Sequence, residues 1–195
     1  MKKTCRDFYG LRYEFPKSWH VDEGAIQSVA DQKKHHASPP DPEDKMAHMV
    51  WLEIQCHHSR LEVSRDPEKH PWPGASHVGN PSISLNINDF SMREDVKTPQ
   101  DSSNVIRESP DEPFQVVGGP INYVFDGQEF SRTDWKVTLP PLLDQTARTR
   151  SSGRIIYKAS VAGARSGHWI LFIITAENPQ QIEDLFRTVH SLRFN

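Results

Sequence analysis

The chain has 195 residues, a length that suits one domain, and the sequence predicts a single domain over residues 1–195. Hydrophobic residues make up only 35% of the chain, and the shortage is concentrated in two polar stretches, 31–45 and 57–81, which are predicted to be long loops. The net charge of −3 lacks the basic excess of a nucleic-acid binder, so we expect no nucleic acid as a partner. No apolar run reaches the ~20 residues that a membrane span needs.

The cysteines and the start of the chain bear on its location. Cys5 and Cys56 form neither a disulfide framework nor a CxxC pair, which fits a reducing compartment. The basic start at residues 1–3 is not followed by the apolar segment of a signal peptide. The sequence therefore predicts a cytoplasmic location, with the cell envelope as the alternative for a chain whose leader has been removed.

The first part of the chain is predicted to hold three strands. Residues 9–15 form a strand that the following proline ends, because proline lacks the N–H that a ladder needs. Residues 25–30 are predicted as a second strand. Residues 46–56 are predicted as a third, since mostly apolar residues recur at a spacing of two from Met46 to Cys56.

The next elements are a strand, a helix and a short strand. Residues 83–87 alternate between aliphatic and polar side chains, which indicates a half-buried strand. Thr98 is placed to cap a helix that begins at Pro99. A short strand at 114–117 is expected to end at the Gly-Gly-Pro sequence of residues 118–120.

A hairpin follows in the centre of the chain. The Asp-Gly pair at 126–127 accepts positive φ at both turn positions, so it predicts a hairpin between residues 121–125 and 128–137. Arg132 and Asp134 lie on the same face of the second strand, where we expect them to form an ion pair.

The last third is predicted to contain two further strands. A loop at 140–153 precedes a strand at 155–161, which alternates apolar and polar residues. Residues 162–167 are expected to turn the chain. Residues 169–176 are almost wholly apolar, which predicts a central strand covered on both faces.

The final element is an amphipathic helix. Asn178 is a good N-cap, Pro179 suits the first helical position, and Gln181 stands at the capping-box position. Apolar residues recur at helical spacing and form one stripe, which consists of Ile182, Leu185, Phe186, Val189 and Leu192. Strands linked by short turns, with few and separate helices, predict an α+β fold: a mostly antiparallel sheet with helices packed on its faces.

Both ends of the chain resemble the PsbP/Mog1-like superfamily and its bacterial PsbP-like domains. The run YGLRYEFPKSW at residues 9–19 is similar to the opening strand of that family, with its aromatic-x-Pro-x-x-Trp pattern. The order of hairpin, apolar strand, helix and terminal SLRF at 191–194 is similar to the family's ending. The resemblance implies an α/β/α sandwich. It also implies a binding or assembly module without catalytic residues.

The sequence contains no recognisable catalytic motif, so we expect no enzyme and no cofactor. The histidines leave a metal-binding function as the alternative. Cys56 and His58, with His35 and His36 from the preceding loop, are ligand types that zinc or copper accepts. Their spacing matches no standard metal site, and exposed histidines in polar loops are the simpler interpretation.

A stretch without carboxylates, residues 145–176, suggests a surface for a protein partner. Its basic residues are predicted to lie on one strand and in the flanking loops, and they are Arg148, Arg150, Arg154, Lys158 and Arg165. Such a surface would attract an acidic protein partner. Trp72, in a Pro-rich loop, is a further candidate contact. The sequence thus favours a non-enzymatic module that acts through protein–protein contacts, and it leaves the oligomeric state open.

Overall fold

A computed structural model describes residues 2–8, 11–22, 24–65, 81–90, 96–104, 114–139 and 154–194. In these ranges the backbone forms ten strands and four helices. The strands are β1 (Lys2–Phe8), β2 (Leu11–Pro16), β3 (His20–Asp22), β4 (His57–Ser64), β5 (Ser82–Asp89), β6 (Phe114–Phe125), β7 (Gln128–Leu139), β8 (Arg154–Arg165), β9 (His168–Ala176) and β10 (Arg193–Phe194). The helices are α1 (Gly24–His35), α2 (Lys45–Cys56), α3 (Pro99–Asn104) and α4 (Pro179–His190).

The strands make one large sheet and one small sheet. The large sheet has seven strands in the order β3-β4-β5-β9-β8-β7-β6, and the small sheet has the order β1-β2-β10. Every ladder between described strands is antiparallel. The α+β fold with a mostly antiparallel sheet is therefore confirmed. The central position of β9, between β5 and β8, is confirmed as well.

Helix α4 covers one face of the large sheet, which we call the core face. The helix begins as predicted: the Asn178 side chain accepts a hydrogen bond from the Gln181 N–H at 2.9 Å, and the Gln181 side chain accepts one from the Glu177 N–H at 2.9 Å. The buried side chains of the apolar stripe then meet the aliphatic and aromatic residues of the core face. Those residues are Ile83, Leu85, Ile87, Phe125, Phe130, Ala159, Val161, Ile170, Phe172 and Ile174.

The small sheet closes over the same core. Leu11 and Phe15 of β2 are buried against it, and Phe194 of β10 pairs with Leu11. The N–H of Phe194 also donates to the Asp126 carboxylate at 2.8 Å. The last strand of the chain therefore joins the small sheet to the turn between β6 and β7.

The other face of the large sheet, the back face, holds α3. As predicted, this helix is capped by Thr98, whose hydroxyl accepts from the Asp101 N–H at 3.1 Å. The Ser103 hydroxyl lies 3.0 Å from the Thr133 hydroxyl, and the Ser160 hydroxyl donates to the Ser103 carbonyl at 2.7 Å. Buried hydroxyl groups, each with a partner, therefore fix α3 on β7 and β8.

Residues 46–56 belong to α2, so the predicted strand is wrong. Other apolar residues of this segment recur at helical spacing, and the structure partly buries Ala47, Trp51 and Ile54 while it exposes Met46, Val50 and Leu52. The Asp44 side chain accepts a hydrogen bond from the Ala47 N–H at 3.0 Å and caps the helix. The spacing of the apolar residues fits both a strand and a helix. The N-cap and the residues of high helix propensity that follow it therefore decide for the helix.

Residues 25–30 are part of α1, so the second predicted strand is wrong too. The loop predicted at 31–45 begins only after His35. Basic residues in the last helical turn complement the helix dipole. The helix end is also tied to α2, because the His36 carbonyl accepts from Trp51 Nε1 at 2.7 Å and from Gln55 Nε2 at 2.9 Å.

Three other boundaries differ from the prediction. Residues 57–64 form β4 instead of a loop, since Leu61 and the buried Val63 alternate with polar residues beside β5. Strand β6 continues through residues 118–120, which were expected to end it. The turn after β8 consists only of Ser166 and Gly167, both with positive φ. The rest of the predicted loop at 57–81 and the loop at 140–153 lie almost wholly outside the described residues.

Candidate functional site

The outer side of β6 is the most unusual surface of the large sheet. β6 is the last strand in the sheet order, and no strand in the described ranges pairs with its outer side. Three of its aliphatic side chains are exposed, Val117 and Ile121 by 51% and Val124 by 68%. We call this side of β6, with its unused backbone groups and these three side chains, the open edge.

The open edge carries no charge. The sequence of β6 is FQVVGGPINYVF, which contains no Asp, Glu, Lys or Arg. Among the ten described strands only β9 shares this property, and β9 lies in the centre of the sheet where charges would be buried. Monomeric proteins usually place charges on edge strands because charges prevent association with other strands. β6 lacks that protection.

Two bulges shape the first half of the open edge, which includes the cis peptide Gly119-Pro120. The pairing with β7 shifts between Val116 and Gly118 and again between Gly118 and Ile121. Gly119 has a φ of 91°, and a Cβ there would lie 2.5 Å from the backbone oxygen of Arg132. Only glycine permits this close approach. Because bulges bend a strand, β6 is bent directly above Arg132 and pairs regularly from Ile121 onwards.

Below this bend lies a buried arginine with two carboxylate partners. Arg132 is only 3% exposed, and its guanidinium binds Asp134 with two hydrogen bonds of 2.7 and 2.8 Å. It also donates to Glu183 of α4 at 2.5 Å and lies 4.3 Å from the centre of the Phe186 ring. We call Arg132, Asp134 and Glu183 the Arg132 clamp. The predicted ion pair with Asp134 is confirmed, while the contact with Glu183 was not predicted.

The guanidinium of Arg132 keeps its positive charge. Burial by itself lowers the pKa of Arg132, but the hydrogen bonds and charges of Asp134 and Glu183 outweigh it and raise the pKa above its ordinary value. The guanidinium is therefore charged at every physiological pH. Its two carboxylates occupy its hydrogen-bonding fork, so the clamp joins α4 to the sheet and is not arranged to take up an anion.

A small cavity lies between the clamp and the open edge. Its volume is about 60 Å³, and its wall is formed by Val117, Arg132, Asp134, Trp135, Tyr157, Lys158, Pro179, Ile182 and Glu183. Ligand pockets for small molecules usually have about 300–1,000 Å³. The cavity therefore suits a single side chain of a partner better than a substrate.

A second cavity of about 140 Å³ lies at the turn between β8 and β9. Arg165 and His168 line it together with Ser166 and two isoleucines. The guanidinium of Arg165 lies 4.5 Å from the centre of the Phe194 ring. His168 Nδ1 lies 2.8 Å from the Ser166 carbonyl, so Nδ1 carries the proton and donates to that oxygen. Both side chains are therefore oriented by the fold.

The predicted basic surface is only partly described. Arg154 is the first residue of β8 and Arg165 is its last, instead of lying in a loop. Lys158 is half-buried and borders the cavity beside the Arg132 clamp. Even and odd positions of a strand point to opposite faces, so Lys158 and Arg165 do not share a surface. Arg148, Arg150 and Trp72 lie outside the described residues, and binding of an acidic partner stays a prediction.

The candidate metal ligands lie in three different elements. His35 ends α1 and its ring meets that of His36 edge to face at 4.9 Å. Cys56 is buried at the end of α2, and His58 belongs to β4. In the ranges that the structure describes, no three His, Cys, Asp or Glu side chains are grouped to hold a metal ion. The metal-binding alternative gains no support from this part of the chain and stays a prediction.

The open edge and the clamp were not singled out from the sequence, although one signal was present. The stretch from Phe114 to Phe125 contains no charged residue, and its length exceeds that of an average strand. The predicted stop at the Gly-Gly-Pro of residues 118–120 divided the stretch and concealed its length. Met46, Met49 and Val50 of α2 form a second exposed apolar surface. It was not predicted, because this segment was predicted to be a strand.

Comparison with known proteins shows a likeness in fold without a likeness in sequence. Neither a family model nor a curated protein sequence matches the chain. The solution structure of cyanobacterial PsbP (CyanoP) from Synechocystis sp. PCC 6803 is similar to it with a TM-score of 0.54, at 12% identity, over 100% of this chain and 92% of that one. The crystal structure of PA94 from Pseudomonas aeruginosa, a protein of unknown function, gives a TM-score of 0.45 at 12% identity over 100% and 97% of the two chains. None of the described helices combines the length and the apolar character that crossing a bilayer requires.

Proposed function

Because the chain has a PsbP-like fold, we propose that it works as a non-enzymatic binding or assembly module and that it binds another polypeptide along the open edge. The proposal is carried by one observation. β6 is long, exposed and free of charge, and the bulges and the proline that also discourage edge pairing lie before Ile121, which leaves residues 121–125 without such protection. An extended segment of a partner would complete the ladder and cover the exposed aliphatic side chains.

The chemistry of the described cavities supports the non-enzymatic part of the proposal. The cavity beside the Arg132 clamp holds about 60 Å³, and the buried charge of Arg132 is matched by Asp134 and Glu183. The guanidinium is thus already paired within the fold, whereas a catalytic group needs access to a substrate. Val117, one of the exposed side chains of the open edge, lines the cavity, so a strand docked on that edge would lie next to it.

The proposal is tested by site-specific cross-linking. A photoreactive amino acid is placed at Val124 on the open edge and, in a matched variant, at His20 on β3, the opposite edge of the same sheet. Both positions are exposed, so neither substitution disturbs the core. We expect one defined cross-linked protein from the Val124 variant and none from the His20 variant. Equal cross-linking at both edges, or cross-linking at neither, contradicts the proposal.

A further inference from the structure

We infer that the polypeptide docked on the open edge is β6 of a second copy of this chain. The inference rests on the proposed function and names its partner. Regular pairing is available only after the bulges, over residues 121–125, because Pro120 has no N–H to donate. The inference therefore concerns this short segment and predicts its register.

An antiparallel copy of the segment matches its own chemistry. With Tyr123 on the two-fold axis, Ile121 lies opposite Phe125 of the second copy, and Asn122 lies opposite Val124. In β6 itself Ile121, Tyr123 and Phe125 share one face of the strand, opposite Arg132, Phe130 and Gln128 of β7. The two-fold therefore extends the apolar face across the interface, where the exposed Ile121 lies beside the largely buried Phe125 of the second copy.

The absence of charge on β6 favours a second copy of β6 as the strand that docks on the open edge. A two-fold axis pairs the strand with its own sequence, so a strand whose charges have one sign would meet like charges in its copy. β6 has no charged residue and therefore meets its copy without repulsion. The opposite edge, β3, ends in Asp22 and offers only three residues, so it has much less to share with a second copy.

The helices leave room for the second copy. Helix α4 packs mainly on β8, β9 and β2, and its Phe186 and His190 side chains meet Tyr123 and Phe125 on the core face of β6 and not along its outer side. On the back face α3 lies mainly on β7 and β8, and its Gln100 side chain reaches β6, where it donates to Asn122 at 2.7 Å. A five-residue ladder is smaller than a standard interface, so we expect the dimer to be concentration dependent.

The register is tested by placing charges at its exposed pair, Asn122 and Val124. Both residues are exposed, so the variants are expected to fold, which circular dichroism verifies. In N122K/V124K every lysine faces a lysine of the second copy, and dimerisation should weaken about tenfold or more. In N122E/V124K each lysine faces a glutamate, and the dimer should return at least to its original strength. M46K/M49K, which adds the same charge to the exposed surface of α2, is the matched control and should change nothing.

The measurement is sedimentation equilibrium of the unmodified chain and the three variants over about three decades of protein concentration. The expected result is a monomer–dimer equilibrium that N122K/V124K shifts to monomer and N122E/V124K restores. A chain that stays monomeric at every concentration overturns the inference, and so does a dimer that N122K/V124K leaves intact. A monomeric chain that still cross-links another protein at Val124 would leave the proposed function standing, so the two failures are distinguishable.

Discussion

The two edges of the large sheet are built in opposite ways. β3 has only three residues, one of them Asp22. A short edge strand with a charge disfavours pairing with a further strand. β6 has twelve residues without a charge, and it is bent by two bulges before its pairing becomes regular. Among the described residues, one edge is therefore protected and the other is available for pairing over residues 121–125. The proposed function follows from that difference, and changes to single side chains can test what maintains it.

The largest expected effect comes from the aromatic ring that supports β6. Phe186 of α4 is buried against Tyr123 at 4.9 Å and Arg132 at 4.3 Å, while β3 lies at the other end of the sheet. F186A opens a cavity, and we expect the free energy of unfolding to fall by about 3–5 kcal/mol. Denaturant unfolding measures the loss. Hydrogen exchange should rise first in β6, and an equal rise in β3 would show that the two edges are not supported separately. F90A, which truncates a half-exposed ring, is the control and should cost less.

The bend in β6 is expected to depend on one glycine. In G119A the new Cβ meets the backbone of Arg132 and Thr133 at a φ of 91°, so stability should fall by about 3 kcal/mol. Gly127 is a matched control because it has a φ of 78°, yet a Cβ added there would meet no atom within 4 Å. G127A should therefore cost only about 1 kcal/mol. Thermal unfolding of both variants gives the comparison, and equal losses would mean that the close approach at Gly119 is unimportant.

Substitutions in the Arg132 clamp should lower the free energy of unfolding less, and the two carboxylates should differ in their effect. D134N removes the carboxylate that binds the guanidinium with two hydrogen bonds, and we expect a loss of about 2 kcal/mol. The Glu183 side chain is 53% exposed, so solvent screens its ion pair. E183Q should cost less than about 1 kcal/mol, and less still in high salt. Urea unfolding at two salt concentrations checks both values. A larger loss in E183Q than in D134N would contradict the assigned roles.

Substitutions in the predicted basic surface should affect stability least, and their expected effect is on binding. R154E/K158E should reduce capture of an acidic partner about tenfold at low salt and much less at high salt, because the attraction is electrostatic. Partners cross-linked through Val124 provide the assay. A partner that binds the double variant unchanged would show that the open edge, and not the basic surface, determines binding.

The parts of the fold that the sequence predicted are those with two agreeing local signals. Helix α4 combines an N-cap at Asn178 with an apolar stripe, and the β6–β7 hairpin combines an Asp-Gly turn with two alternating strands. Both were predicted correctly. In α2 the two signals disagreed, since the alternation from Met46 onwards fits a strand while the cap at Asp44 fits a helix. Period alone could not decide between them.

The candidate site was harder to predict because it depends on contacts between distant residues. The partnership of Arg132 with Asp134 is a two-residue spacing that alternation places on one face, and it was predicted. Its contact with Glu183 joins β7 to α4 and needs the packing of the helix on the sheet. The exposed side of β6 likewise depends on the strand order, which no single segment encodes.

The pairing of β10 with β2 has a consequence for synthesis on the ribosome. β2 precedes all strands of the large sheet in sequence, and its partner β10 follows them as the last of the described strands to emerge. Loop closure over so long a sequence is slow compared with hairpin formation, so the β6–β7 and β8–β9 hairpins should form cotranslationally. The small sheet should then form after these hairpins, when Phe194 reaches Leu11 and Asp126.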